Sequence, residues 1–195
     1  MLYIIRHGQT AWNVQRRLQG QTDIPLNETG RAMAEKAREE YRDIHFDICF
    51  SSPLARARET AEILLEGTGV PVVTDRRLAE MCFGEYEGQN IDAQPEDSPI
   101  TAFFHAPERY VPARGAESFE QLFARTGQFL AEVAEPLLRQ DKDVLIAGHI
   151  AMNPSIICRI RDIPLERFWT AGTDNCRLVR LILNSGKTAK SCTCL

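Results

Sequence analysis

Two arginines and two histidines sit where a chain of this pattern would gather them. Arg6 and His7 follow the β-rich run LYII, Arg56 lies in the first turn of the helical run after DICFSS, and His149 follows DVLIAG. In an open parallel sheet, ligands bind beyond the carboxyl ends of the strands, so these four side chains are expected to meet in one crevice. Arginine suits a dianion such as phosphate because its planar fork binds oxygens in pairs and stays charged. Gly8, directly after His7, permits a close backbone approach. Two helix starts beside these residues would add N–H donors and positive dipole ends. Taken singly, an arginine on a helix is a solvated charge and a histidine at a strand end is a hydrogen-bonded structural residue. The coincidence singles them out: the chain has only four histidines, and His45 and His105 have no such placement.

The elements that must position these residues follow from hydrophobic periodicity. The runs LYII, DICFSS, VPVVT, DVLIAG and RLVRLIL alternate with helical runs, which predicts an α/β fold with a mainly parallel sheet. Asn27 is placed to cap a helix running through about Tyr41, with Met33, Ala37 and Tyr41 on its apolar face. Ser52-Pro53 predicts an N-cap and then proline at the first helical position, opening a helix to about Glu66 that buries Leu54, Ala61 and Leu65. Ser118 and Gln121 make a capping box ahead of Leu122, Phe123, Phe129, Leu130 and Val133, and Pro136 should kink or restart that helix. Between Met81 and Glu117 the periodicity fails, and a long functional loop with short turns is expected. One catalytic domain is expected over residues 1–185, followed by a flexible tail at 186–195.

Composition narrows the partner. The 195 residues suffice for one domain with a real core. The net charge of -4, from 23 basic and 27 acidic residues, lacks the basic surplus of a nucleic-acid binder and favours a small molecule met at a local basic pocket. No run approaches the roughly 20 apolar residues of a membrane span. The start, MLYIIRHGQT, has no basic n-region, so a cytoplasmic location with reduced cysteines is expected. Cys192 and Cys194 lack the two further ligands that a metal site requires. No metal and no cofactor are expected, and the oligomeric state leaves no signal in the sequence.

RHGQTAWN resembles the defining motif of the histidine phosphatase superfamily, the group that includes cofactor-dependent phosphoglycerate mutase. LQGQTDIPLNETG, SSPLARARETA, LAEMCFGEYEG, GAESF, AGH and DNCRLVRL resemble further family segments in family order, from Leu2 to about Leu183. The resemblance implies a doubly wound α/β/α sandwich with a phosphoglycerate-mutase-like topology. It implies that His7 is the nucleophile, that Arg6, Arg56 and His149 clamp the phosphate, and that Glu80 is the proton donor. Asn13, Gln19 and Gly20 match substrate-pocket positions. After the second histidine the family usually has Gly-Gly or Gly-Asn and then Arg, whereas this chain has Ile150-Ala151-Met152-Asn153-Pro154. The N–H groups of Ile150 and Ala151 are still expected to cradle an oxyanion, at a tighter pocket edge.

Rival phosphatase chemistries fit poorly. No cysteine has the Cys-x₅-Arg spacing, Asp141-Lys142-Asp143 precedes its strand, and Gly186-Lys187-Thr188 lacks the upstream glycine of a P-loop. Three hypotheses stay open: a metal-independent phosphomonoesterase acting on a small phosphorylated metabolite, a phosphoglycerate-type mutase, and a non-catalytic phosphate-binding module. No Lys or Arg occurs between Arg77 and Arg109, while Glu85, Glu87, Asp92, Glu96 and Asp97 do. A cover without cations argues for hydrolysis, because a mutase must hold a second anion. Phe83, Tyr86, Phe103, Phe104 and Tyr110 are the candidates to pack on an uncharged or aromatic leaving group such as a nucleotide-like or ribazole-type one.

Overall fold

The computed structural model describes residues 1–182. In chain order it contains β1 (Leu2–Arg6), α1 (Ala11–Val14), α2 (Glu28–Glu40), β2 (Ile48–Ser51), α3 (Ala55–Leu64), β3 (Val72–Thr74), α4 (Pro99–His105), α5 (Phe119–Phe129), α6 (Glu135–Leu138), β4 (Val144–Gly148), α7 (Met152–Arg161) and β5 (Leu178–Leu181). The five strands form one sheet in the order β3-β2-β4-β1-β5. Only the β1–β5 pairing is antiparallel. All five strands predicted from the sequence are present, and the Gly-Lys-Thr run and the cysteine pair of the tail lie outside the described residues.

Period-two alternation in the strands builds a core on each face of the sheet. Leu2, Ile4, Phe50, Val144 and Ile146 pack with Leu122, Phe129 and Ile156 of α5 and α7 on one face. Tyr3, Ile5, Cys49, Leu145 and Ala147 pack with Ala34, Ala37, Ala61 and Leu64 of α2 and α3 on the other. This is the doubly wound sandwich. Its register aligns the strand ends, pairing Arg6 with Gly148 and Ser51 with Ala147. His7 and His149 therefore leave adjacent strands at the same level. Among the described residues, no helix is long and apolar enough to cross a membrane.

Helix boundaries obey local chemistry, with two departures, at α3 and α4, and the restart expected at Pro136 is present. Asn27 caps α2, its side chain accepting from the Gly30 N–H at 2.7 Å, and the Ser118/Gln121 capping box opens α5. The helix expected to start at Pro53 starts instead at Ala55. The Ser52 hydroxyl accepts from the Leu54 N–H, and Asp23, distant in sequence, accepts from the Ala55 N–H at 2.8 Å. A proline start occurs at Ser98-Pro99, where Ser98 accepts from the Ile100 N–H and α4 forms inside the stretch expected to be loop. Ahead of Pro136 the chain makes a π turn over Leu130–Ala134 and continues as α6. The wider turn accommodates a residue that has no N–H and whose ring crowds the preceding carbonyls.

Candidate active site

Beyond the end of β1, the His7 N–H still donates to the Gly148 carbonyl at 3.0 Å. The residue is 3 % exposed, and its Nδ1 lies 2.6 Å from the Gly8 carbonyl oxygen. A carbonyl only accepts, so Nδ1 carries the proton and Nε2 keeps its lone pair. Burial first, and then the charges of Arg56 and Arg6, hold the His7 pKa well below the ordinary histidine value. The neutral ring is thereby secured.

The backbone at His7 and Gly8 is held from two sides. Thr60 accepts from the Gly8 N–H at 3.0 Å while donating to the Arg56 carbonyl, and Asn175 donates to the His7 carbonyl at 2.6 Å. Neither residue stood out in the sequence. Thr60 follows Arg56 by one helical turn, which is a usable signal; Asn175 is 168 residues from its partner and has no local signal. A Cβ on Gly8 would lie 2.4 Å from the Gly30 carbonyl oxygen, so the turn needs glycine for close approach. Gly8→Ala is expected to push α2 away and lower the melting temperature by about 5 °C, since overpacking costs about 1–3 kcal/mol, with activity falling alongside. A thermal melt and an assay check both.

Arg56 is 0 % exposed and donates through Nη1 to Thr22 O at 2.9 Å and through Nη2 to Gly20 O at 2.7 Å. Gly20 has φ +53°, and a Cβ there would strike Glu87. Its role is therefore to present a carbonyl to Arg56. Arg6 donates through Nη1 to Thr173 O at 3.0 Å. In both arginines Nε is buried with no protein partner. Such donors are suited to the oxygens of an anion.

His149 is fully buried with both ring nitrogens unpartnered, and its ring centroid lies 5.2 Å from that of His7. Burial and the nearby Arg56 also hold its pKa well below the ordinary value. Asn153 fixes the turn, accepting from the His149 N–H at 3.2 Å and donating to the Ile5 carbonyl at 3.2 Å. Glu80 is 3 % exposed. Its Oε1 accepts from Met81 N at 2.8 Å and Met152 N at 3.1 Å, and its Oε2 accepts from Ala151 N at 3.2 Å. Burial raises its pKa, outweighing the amide bonds and Arg56, which pull it down.

Several expectations are corrected here. Both helix starts are occupied by carboxylates, α3 by Asp23 and α7 by Glu80. Asp23 takes one N–H at α3 and Glu80 two at α7, so these helix ends offer fewer free donors than expected and the arginines carry the full positive charges. The Ala151 N–H expected to cradle an oxyanion is committed to Glu80. Ile150 is half-buried, and neither it nor Ala151 has positive φ, so the absence of glycine after His149 causes no backbone strain. Phe83 packs edge-on against Phe103 at 4.9 Å, and Phe103 meets Phe104, Tyr110, Phe119 and Trp169. Phe83 and Phe103 are buried among these rings and present no face to a leaving group, while Tyr86, Phe104 and Tyr110 are partly buried. The acidic cover also dissolves: Glu87 accepts from the N–H groups of Gln21, Thr22 and Phe83, Asp92 pairs with Arg16, and Glu85, Glu96 and Asp97 face solvent.

The remaining expected residues are placed as follows. Asn13 uses its carbonyl oxygen on Thr10 N and Oγ1, leaving the amide NH₂ as the end able to reach a ligand. Gln19 is buried with Oε1 unpartnered.

A sheet of this order, with arginines and histidines gathered at one edge, is the architecture of an α/β enzyme built around an anion. The chain belongs to the histidine phosphatase superfamily (branch 1), whose model matches residues 2–193. It is similar to the uncharacterized phosphatase PhoE of Bacillus subtilis (strain 168), at 34% identity over 157 residues, covering 80% of this chain and 75% of that protein. It is likewise similar to 2,3-bisphosphoglycerate-dependent phosphoglycerate mutase 2 of Gloeobacter violaceus, at 34% over 155 residues, covering 76% of this chain and 70% of the mutase. Among solved structures, a mycobacterial glucosyl-3-phosphoglycerate phosphatase in complex with VO3 superposes with a TM-score of 0.80 at 30% identity, covering 91% of this chain and 90% of that one. Phosphatases and mutases thus stand at about equal distance, and phosphorylated small molecules are the substrates typical of the family.

Proposed function

We propose that the protein is a metal-independent phosphomonoesterase acting through a phosphohistidine on His7. The observation that carries this reading is the 2.6 Å contact between Nδ1 and the Gly8 carbonyl, which leaves Nε2 as a neutral nucleophile beside Arg6, Arg56 and His149. Phosphoryl transfer is mainly positioning and charge stabilisation. The free Nε–H groups of Arg6 and Arg56, with His149, bind the non-bridging oxygens. Nε2 attacks phosphorus as the P–O ester bond breaks, and Glu80 gives its proton to the departing alkoxide. Water then attacks the phosphohistidine, its proton passing to the Glu80 carboxylate. Phosphate leaves, and His7 and Glu80 return to their starting states.

Hydrolysis is favoured over isomerisation by the missing cations. A mutase must hold a second anion while the first is transferred, and no Lys or Arg lies between Arg77 and Arg109 to hold it. A single phosphate on an uncharged leaving group is the preferred substrate. The enzyme is to be given 3-phosphoglycerate with 2,3-bisphosphoglycerate, and both isomers and free phosphate followed. Phosphate release is expected to exceed isomerisation; the reverse outcome makes the protein a mutase.

A further inference from the structure

Glu80 lies on a segment that no helix or strand holds. The 3₁₀ turn Arg76–Leu78 ends before it, and Ala79 is already extended. Such a segment keeps its place only through bonds made by other parts of the chain. One side chain makes three of them. Arg125, on α5, donates through Nη1 to Arg77 O at 2.6 Å and to Ala79 O at 2.7 Å, and through Nη2 to Glu80 O at 3.2 Å.

The same guanidinium is itself gripped. Its Nε and Nη2 bind Glu117 Oε1 and Oε2 at 2.6 and 2.9 Å, fork to fork. Both side chains are largely buried, at 18% and 12% exposure. Glu117 also takes the far side of the segment: its Oε2 accepts from Cys82 N at 3.2 Å, and its own N–H donates to Cys82 O at 2.8 Å. One ion pair thus holds the backbone at residues 77, 79, 80 and 82. Gln21 adds a bond to Glu80 O at 3.0 Å from the opposite side. This also gives a task to the Gly-Ala-Glu-Ser stretch, whose glutamate the reaction does not otherwise use.

We infer that the Arg125–Glu117 pair is the positioning device for the proton donor, with Arg125 setting the reach of the Glu80 carboxyl without touching substrate. The inference rests on Glu80 being that donor. Lysine cannot replace arginine here, because a single ammonium cannot span three carbonyls and a carboxylate fork. A misplacement of about 1 Å costs up to about 10²-fold in rate, and only for the step that uses the misplaced group.

The experiment compares kcat/KM on an alkyl phosphate, whose leaving group needs a proton, with that on p-nitrophenyl phosphate, whose leaving group does not. Arg125→Lys is expected to lose about 10-fold or more on the alkyl ester and less than about 3-fold on the nitrophenyl ester. Adding Glu80→Gln should cost Arg125→Lys less than it costs the wild type, because both changes impair one step. Glu117→Gln, which keeps the shape of the side chain, should show the same selective loss and stands in if Arg125→Lys fails to fold by circular dichroism. Equal losses on both esters, or additive losses in the double variant, overturn the inference. If Glu80→Gln alone shows no preference between the esters, Glu80 is not the donor and the catalytic reading falls with the inference. If Glu80→Gln shows that preference and the Arg125 and Glu117 variants do not, only the inference falls.

Discussion

His7→Ala is expected to lower turnover by at least about 10⁴-fold on every phosphomonoester the wild type accepts, since the proposed reaction runs through this nucleophile. The structural basis is specific. On the proposed reading Arg6, Arg56 and His149 bind the phosphate, His149 acting as a donor to its oxygens although it is a second buried imidazole, and the described cysteines are unsuited to the attack. Burial pushes Cys49 and Cys176 up to about 12, so neither forms thiolate near neutral pH. A quench without acid, after labelled substrate, should leave label on His7, and a chelator should change nothing. Label on serine, cysteine or aspartate would end the proposal. The pH profile adds a sign. The attacking ring must be neutral, and burial and the arginines hold its pKa well below the ordinary histidine value. Activity should therefore persist, once corrected for substrate ionisation, at acidity where an exposed histidine is already protonated. It should fall only as pH drops through the lowered value.

Arg6, His7, Arg56 and His149 are visible in the sequence because each follows a local rule, whereas Glu80, Asn13, Gln19 and Gly20 are visible only through the family resemblance. Arg6-His7-Gly8 and Gly148-His149 end apolar runs, and the end of a parallel strand is where ligands bind. What stayed hidden depends on long-range partners. The Ser-Pro signal shows this well. It occurs at Ser52-Pro53 and at Ser98-Pro99, and only the second opens a helix at its proline. At the first, Asp23 supplies a carboxylate to the Ala55 N–H and moves the start two residues on. Capping from afar leaves no mark on the helix sequence. Asn175, Asn153 and Arg125 escaped notice for the same reason, because each holds a backbone group far away in the chain. The aromatic residues of the 83–110 stretch misled in the opposite way: their spacing gave no periodicity, yet they form a tight core around Phe103.

The second large effect belongs to Glu80. Glu80→Gln is expected to lower kcat/KM on alkyl phosphates by about 10²–10⁴-fold, the usual worth of a placed acid. On p-nitrophenyl phosphate kcat/KM should stay within about 3-fold, because its leaving group departs without a proton. The second half of the reaction also uses Glu80, as the base for water. With the nitrophenyl ester, the variant should therefore release one nitrophenolate per enzyme in a burst and then turn over slowly. The pH dependence supplies an independent check. The donor must be protonated, and burial raises the Glu80 pKa above that of an ordinary carboxyl. Alkyl-phosphate hydrolysis should decline as pH rises through that raised value, and Glu80→Gln should abolish this limb while leaving the acid limb of His7 in place. The substitution has a structural cost that must be kept apart. A glutamine oxygen at the Oε1 position still accepts from Met81 and Met152, but its NH₂ then faces the Ala151 N–H, which loses its acceptor. An unsatisfied buried donor costs about 1–3 kcal/mol, so the melting temperature should drop by several degrees. Nitrophenyl phosphate hydrolysis separates the two effects, because it needs the intact pocket and not the proton. Equal loss of kcat/KM on both esters would make Glu80 a structural cap of α7 and leave the proton donor to be sought elsewhere.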